Sequence, residues 1–316
     1  MYKIGHIANT CLVAFFVLFC MNGCKCDKTP ENVSDPGFMA YTFDWKNVLP
    51  GYPVPRTLRY CFYPSDGGAM IQMDSDNIER MRFALPPDQY KVIIFNCDAE
   101  AIPVRNIKRF DESEAFLPTV SFKDATEADA NQMPLYAVVI DTLLITPKLD
   151  KEIRLTPESL TQHIGVKVNI EGMEYIKECQ SSLSGVVTAI NLSTRKAVPD
   201  HPNTVVFETR KTEKGIEGNA RILGVISQEK TTDWQSELSH QITLNFTFID
   251  GSTASSTVDL GNQLITIDRG TNLIDIEIDA LIKRDPGFSV TLHGWKAELG
   301  NILASNDKKQ PSITKR

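Results

Sequence analysis

The feature that most constrains this chain is a period of two. Ile164, Val166, Val168 and Ile170 alternate with Gly165, Lys167, Asn169 and Glu171. Successive side chains of an extended strand point to opposite faces, so such a run offers one face to a core and one to solvent. The pattern recurs along the chain. Leu58, Tyr60 and Phe62 share a face; Met81, Phe83 and Leu85 alternate with Arg80, Arg82 and Ala84; Tyr90, Val92 and Ile94 form a further row. Ile153 and Leu155 alternate with Glu152 and Arg154, and Ile274, Ile276 and Ile278 with Asp275, Glu277 and Asp279. Ile242, Leu244, Phe246 and Phe248 run to Asp250-Gly251, and residues 252–260 return. Residues 136–145, 205–207 and 220–225 are further β-prone runs. Asp66-Gly67-Gly68 and Asp250-Gly251 supply the residues that tight hairpins need at positive φ, and Pro86-Pro87-Asp88 turns the chain between two strands. Helix-start chemistry is confined to Thr156-Pro157-Glu158, with room for two turns at most. The pattern predicts an all-β fold of antiparallel strands.

Phe43 and Trp45 open the folded part. Residues 110–134 are rich in Asp, Glu and Ala without a period and read as a long connection. A junction near Thr146, good to about ten residues, divides the chain into an N-terminal β-sandwich at 39–145 and a C-terminal one at 146–300. A polar, frayed tail at 301–316 follows.

The first residues are a targeting device. Lys3 gives a positive start, and an unbroken apolar stretch runs from Cys11 to Met21. That stretch has the length of a signal-peptide core and falls short of the ~20 residues that a spanning helix needs. Met21-Asn22-Gly23-Cys24 then looks like a lipobox: a small Gly before a Cys, with a large apolar residue two places earlier. Residues 1–23 are expected to be removed and Cys24 to carry a diacylglycerol. Each buried CH₂ contributes about 0.8 kcal/mol, so several acyl chains hold a protein on a bilayer. Residues 24–38 are polar, contain Pro30, Pro36 and Gly37, and read as a tether.

Removing residues 1–23 takes away Lys3 and no acid, so the formal charge goes from −7 to −8. With no Lys/Arg cluster beyond two or three, nothing favours a polyanion, and no nucleic-acid partner is expected. Of seven cysteines, Cys11 and Cys20 leave with the signal and Cys24 takes the lipid. Cys26, Cys61, Cys97 and Cys179 are widely and irregularly spaced, which argues against a metal or redox motif. A Cys61–Cys97 disulfide and free buried thiols both stay open. His163, His201, His240 and His293 stand alone, outside any zinc-hydrolase, nucleophile-elbow or phosphate-loop motif. Ser181-Ser182-Leu183-Ser184-Gly185 has no base beside it and reads as a turn. Asp98 and Glu100 near Asp111 and Glu112 are what chance allows among 40 acids. Asp74 and Asp76 lack the remainder of a calcium loop and read as a solvated hairpin tip. Trp45, Trp234 and Trp295 are isolated, so core packing outweighs sugar stacking. No catalytic residue, metal or cofactor is expected, and the chain reads as not an enzyme.

Three further segments carry a resemblance: residues 41–47 (YTFDWKN), 59–68 (RYCFYPSDGG) and 85–98 (LPPDQYKVIIFNCD). With 179–187 (CQSSLSGVV) and 244–251 (LNFTFIDG), they resemble a family of Bacteroidales lipoproteins related to fimbrillins and their minor-subunit and anchor proteins. Asp88 stands where that pattern commonly has Gly. The resemblance spans residues 40–280 as a pattern of strands and turns. It implies two tandem transthyretin-like antiparallel β-sandwich domains and a Gram-negative envelope location: an outer membrane lipoprotein, lipid-anchored and facing the cell surface. It also implies a fimbrium-associated or cell-adhesion role, with other fimbrial subunits as partners and no catalytic residues to transfer. An alternative is a surface lipoprotein that binds glycan or peptide for nutrient uptake.

Overall fold

In the structure, a computed structural model, residues 35–48, 53–118, 126–127, 133–198, 204–224, 240–260, 273–284, 287–300 and 312–315 are described. Strand follows strand among them. The first part holds β1 (Gly37–Phe43), β2 (Leu58–Pro64), β3 (Ile71–Ser75), β4 (Arg80–Leu85), β5 (Asp88–Asn96), β6 (Val104–Arg105), β7 (Glu114–Phe116), β8 (Thr126–Glu127), β9 (Tyr136–Ile145), β10 (Asp150–Leu155) and β11 (Glu158–Ser159). The second part holds β12 (Gln162–Glu171), β13 (Ile176–Ser184), β14 (Ala189–Asn191), β15 (Thr204–Lys211), β16 (Gly215–Ile222), β17 (Gln241–Phe248), β18 (Thr253–Asp259), β19 (Leu273–Lys283), β20 (Ser289–Gly300) and β21 (Ser312–Lys315). The described helical pieces are two 3-10 turns, at Phe110–Glu112 and Met173–Tyr175. The all-β expectation holds, because the two-residue period is a local property that each strand satisfies by itself.

Two sheets make the first sandwich, one in the order β10-β1-β4 and the other β11-β9-β5-β2-β3. Met39, Tyr41, Phe83 and Leu85 meet Leu58, Tyr60, Phe62, Tyr90, Val92 and Ile94 between them. Phe83 lies at the centre, 4.7 Å from the Tyr60 ring and 5.2 Å from that of Phe62. The β2–β3 hairpin turns at Gly67, whose φ is +83°, and Asp66 Oδ1 accepts the Gly68 N–H at 2.7 Å. The five-stranded sheet is covered on its other face as well. Cys61, Tyr63, Ile93 and Phe95 join a second, larger core with Phe110, Ala115 and Leu117. The continuous apolar runs Tyr60 to Tyr63 and Val92 to Phe95 were the available sign of a doubly covered strand.

The second part is built on a sheet of order β18-β17-β13-β15-β16-β12-β19-β20-β21, with β8 paired to β15. Strand β15 serves two ladders: Thr204 to Glu208 pair with β13, and Thr209 to Lys211 with β16. Where β15 leaves β13, the Thr209 hydroxyl donates to the Cys179 carbonyl and the Lys211 ammonium to that of Ile176. Side chains thus satisfy the carbonyls that the departing strand exposes.

Several expectations are corrected. The antiparallel pattern has parallel exceptions in β1–β10, β12–β19 and β15–β8. Thr156-Pro157-Glu158 starts no helix; Glu158 and Ser159 pair with Ala137 and Tyr136. Residues 110–134 are not a bare connection, since β7 pairs with β14 and Phe110, Ala115 and Leu117 are buried in the larger core. Strand β10, just past Thr146, pairs with β1, and Ile153 and Leu155 pack into the first core, within the roughly ten residues allowed for the junction. Residues 301–311 lie outside the description, but Ser312–Lys315 pairs with Trp295 to Glu298 rather than fraying. Residues 181–184 are strand, not turn, and Gly185 turns the chain at φ +76°. A Cβ there would come 2.7 Å from His240 Cδ2.

Candidate assembly edge

Strand edges are the reactive surfaces of an all-β protein, because they carry backbone N–H and C=O groups that another chain can pair. Most edges here are guarded by charge or polarity. Strand β4 carries Arg80 and Arg82, which reach over Ala40 and Phe38 to Glu152 (3.1 Å) and Asp150 (3.0 Å) on the opposite edge, β10. Strand β3 has Asp74 in a two-pronged contact with Arg59, Nε to Oδ1 at 2.8 Å and Nη2 to Oδ2 at 2.7 Å. That guanidinium holds the Asp74 carboxyl below the usual carboxylate range. Strand β18 is a run of Thr, Ser and Ala.

Strand β9 differs. Among the described residues, its other flank is paired only at Tyr136 and Ala137, by β11. From Val138 to Leu144 the backbone pairs with β5 on one side and with no described residue on the other. Its first part is apolar, with Val138, Val139 and Ile140 half-buried; Asp141 and Thr142 are exposed and polar, and Leu144 is 62% exposed. Val138 and Ile140 are partly buried against the first core, as is Ile153 of β10. A bulge at Asp141 and Thr142, opposite Lys91, is the device that interrupts this edge.

Residues 41–43, 92–95 and 274–278 are not edges. Strand β1 lies between β10 and β4, β5 between β9 and β2, and β19 between β12 and β20. Edge and interior strands share the same alternation, so no local pattern separates them.

The remaining sequence candidates do not converge. Cys24, His201 and Trp234 lie outside the described residues. His163 is half-buried in β12, His240 buried and His293 exposed in β20. Ser181 is buried in β13. Asp98 accepts the Arg56 N–H and an Asn96 amide, Asp111 faces Lys91 at 3.6 Å and Glu112 holds Arg109 at 2.7 Å. Trp45 donates from Nε1 to the Ile78 carbonyl at 2.9 Å and packs edge-on against Tyr136, a structural role. Cys61, Cys97 and Cys179 are free thiols. Cys61 pairs with Ile93, four residues from Cys97, a separation of about 13 Å along the ladder that no disulfide spans. Among the described residues no group of three or more His, Cys, Asp or Glu could hold a metal, and no helix is long and apolar enough to cross a membrane.

Residues 38–208 match the family described as "Domain of unknown function (DUF5119)". The chain is 22% identical over 178 residues to a candidate fimbrium anchoring subunit, Fim4B, of Bacteroides ovatus; the match covers 55% of this chain and spans about half, 52%, of that protein. Among solved structures, a candidate adhesin of Bacteroides ovatus superposes with a TM-score of 0.62 at 18% identity, over 73% of this chain and 85% of that one. The fimbrial anchor protein Mfa2 of Porphyromonas gingivalis superposes with a TM-score of 0.56 at 13% identity, over 84% and 98%. At these identities the structural likeness is one of fold.

Proposed function

The chain belongs to the DUF5119 family, and on that premise we propose that it is a fimbrial subunit, anchor or adhesin-like component of the cell envelope, acting by protein–protein contact rather than by catalysis. The fimbrial description of the relatives supports this reading. The observation that carries it is the β9 edge: an apolar, half-open strand beside guarded ones, suited to receive an extended segment of another subunit. Backbone pairing would supply affinity, and apolar side chains at alternate positions of the partner would cover the half-buried Val138 and Ile140.

The envelope location is part of the same proposal. Residues 1–23 act as a signal peptide, Cys24 carries the lipid, residues 24–38 form the tether, and two sandwiches in tandem stand on the outer face of the outer membrane. Cys24→Ala should release the protein into the soluble fraction in detergent-free buffer; retention with membranes sinks the anchor.

A proline scan through residues 138–144, read by electron microscopy of the native cell surface and by co-purification of envelope partners, tests the contact. Pro removes an N–H, so the alternate positions whose N–H points away from β5 should lose association while melting as the parent does. Association that survives every substitution in the folded variants excludes β9 as the contact.

A further inference from the structure

The outer face of β13, β15, β17 and β18 forms a concave groove of about 910 Å³. Its floor is a straight cross-strand row. Glu208 stands opposite Gln180, Gln180 opposite Asn245, and Asn245 opposite Ser255. A second row beside it runs Glu178, Thr247, Thr253. All seven line the groove, and none of their side chains has a hydrogen-bond or ion-pair partner among the described residues.

Other described sheet faces spend their polar groups on one another. Where β15 passes to β16, Arg210 holds Glu217 at 2.8 Å, and on β12, β19 and β20 Lys296 holds Glu277 at 2.6 Å and Asn169 donates to Glu277 at 2.7 Å. On β1, β4 and β10, arginines and acids pair across the strands. The groove instead keeps two side-chain amides, three hydroxyls and two carboxylates unspent, in a register set by the sheet.

We propose that this groove binds an uncharged oligosaccharide, a site separate from the β9 edge and independent of the fimbrial reading. An amide offers both donors and acceptors, and hydroxyls and carboxylates complete the set that pairs with sugar hydroxyls. Glu178 and Glu208, with no Lys or Arg in the lining, disfavour nucleic acids and acidic glycans. Phe207 and Phe246 reach the lining from the core side and are buried, so the floor does not suit an apolar peptide. Neighbouring strands lie about 4.8 Å apart, so the four-strand row spans roughly 14 Å. That length matches a short run of pyranose rings laid across the strands, about one ring per strand.

The test uses the folded chain and four linear tetrasaccharides: β-1,4-glucan, α-1,4-glucan, β-1,4-mannan and β-1,4-xylan, with tetragalacturonate as the acidic control. Binding is read by titration calorimetry. At least one neutral tetrasaccharide should bind at millimolar or lower concentration and outcompete the acidic one. Gln180→Ala with Asn245→Ala should weaken it tenfold or more at an unchanged melting temperature, while Lys167→Ala, on β12 and outside the groove lining, leaves it intact. Silence from all four neutral sugars, equal binding of tetragalacturonate, or binding indifferent to the amide pair overturns the proposal. Each readout is made without a partner subunit, so failure here leaves the β9 reading standing, and the reverse.

Discussion

Asn96 Oδ1 accepts the backbone N–H of Tyr136 at 2.6 Å, inside the protein and 40 residues away along the chain. The same side chain donates from Nδ2 to the Pro134 carbonyl at 3.0 Å and to Asp98 Oδ1 at 2.9 Å. Phe95 and Ala137 form the last described rung between β5 and β9. Asn96 continues that ladder with its side chain where Pro134, having no N–H, could not. The Asn-x-Asp pattern at 96–98 therefore closes the start of β9, the strand with the open edge.

Asn96→Ala is expected to destabilise the fold by about 3 kcal/mol, because a buried N–H and a buried C=O lose their partner together. Urea unfolding measures it, and a loss below about 1 kcal/mol would show that water replaces the amide.

Burial pushes the thiols of Cys61 and Cys179 up to about 12. The thiolate is the reactive form, so both should resist alkylation at neutral pH in the native state and react on unfolding. Mass spectrometry after a timed iodoacetamide pulse resolves each site. Cys179 is only partly buried, so rapid labelling of it in folded protein would show that this partial cover does not keep the thiol protonated.

The hydrogen bond from Arg59 lowers the Asp74 pKa, and the bonds from Lys296 and Asn169 lower that of Glu277. Depressed carboxyls add stability above their unfolded values, about 4, and lose it as the pH falls toward the folded ones. Arg59→Gln should therefore cost most at pH 7, no more than about 1 kcal/mol for so exposed a pair. The cost should fade in acid, once Asp74 is protonated in both proteins. A cost that is constant from pH 7 to pH 3 would assign it to packing.

Phe83 touches Tyr41, Tyr60 and Phe62. Truncating it to Ala should cost about 3–5 kcal/mol, the transfer loss plus a cavity that three rings cannot close. Phe83→Leu should recover most of that, as measured by thermal unfolding.

Residues such as Ile164 to Glu171 and Ile242 to Phe248 declared themselves as strands from their local order, since the two-residue period belongs to each segment and its burial alternates accordingly in the fold. The turns at Asp66-Gly67 and Asp250-Gly251 were equally legible, because positive φ selects glycine locally. Partnership was not. Strand β10 pairs parallel to β1 over a hundred residues away, and β14 completes a sheet with β7 from the other half of the chain. The apolar alternation of β1, β5 and β19 suits an edge or an interior place equally, and only the neighbours supplied by the tertiary fold made them interior. That same assembly left one flank of β9 open and set Glu208, Gln180, Asn245 and Ser255 in a single row. Such relations are fixed by long-range pairing, and no window of sequence carries them.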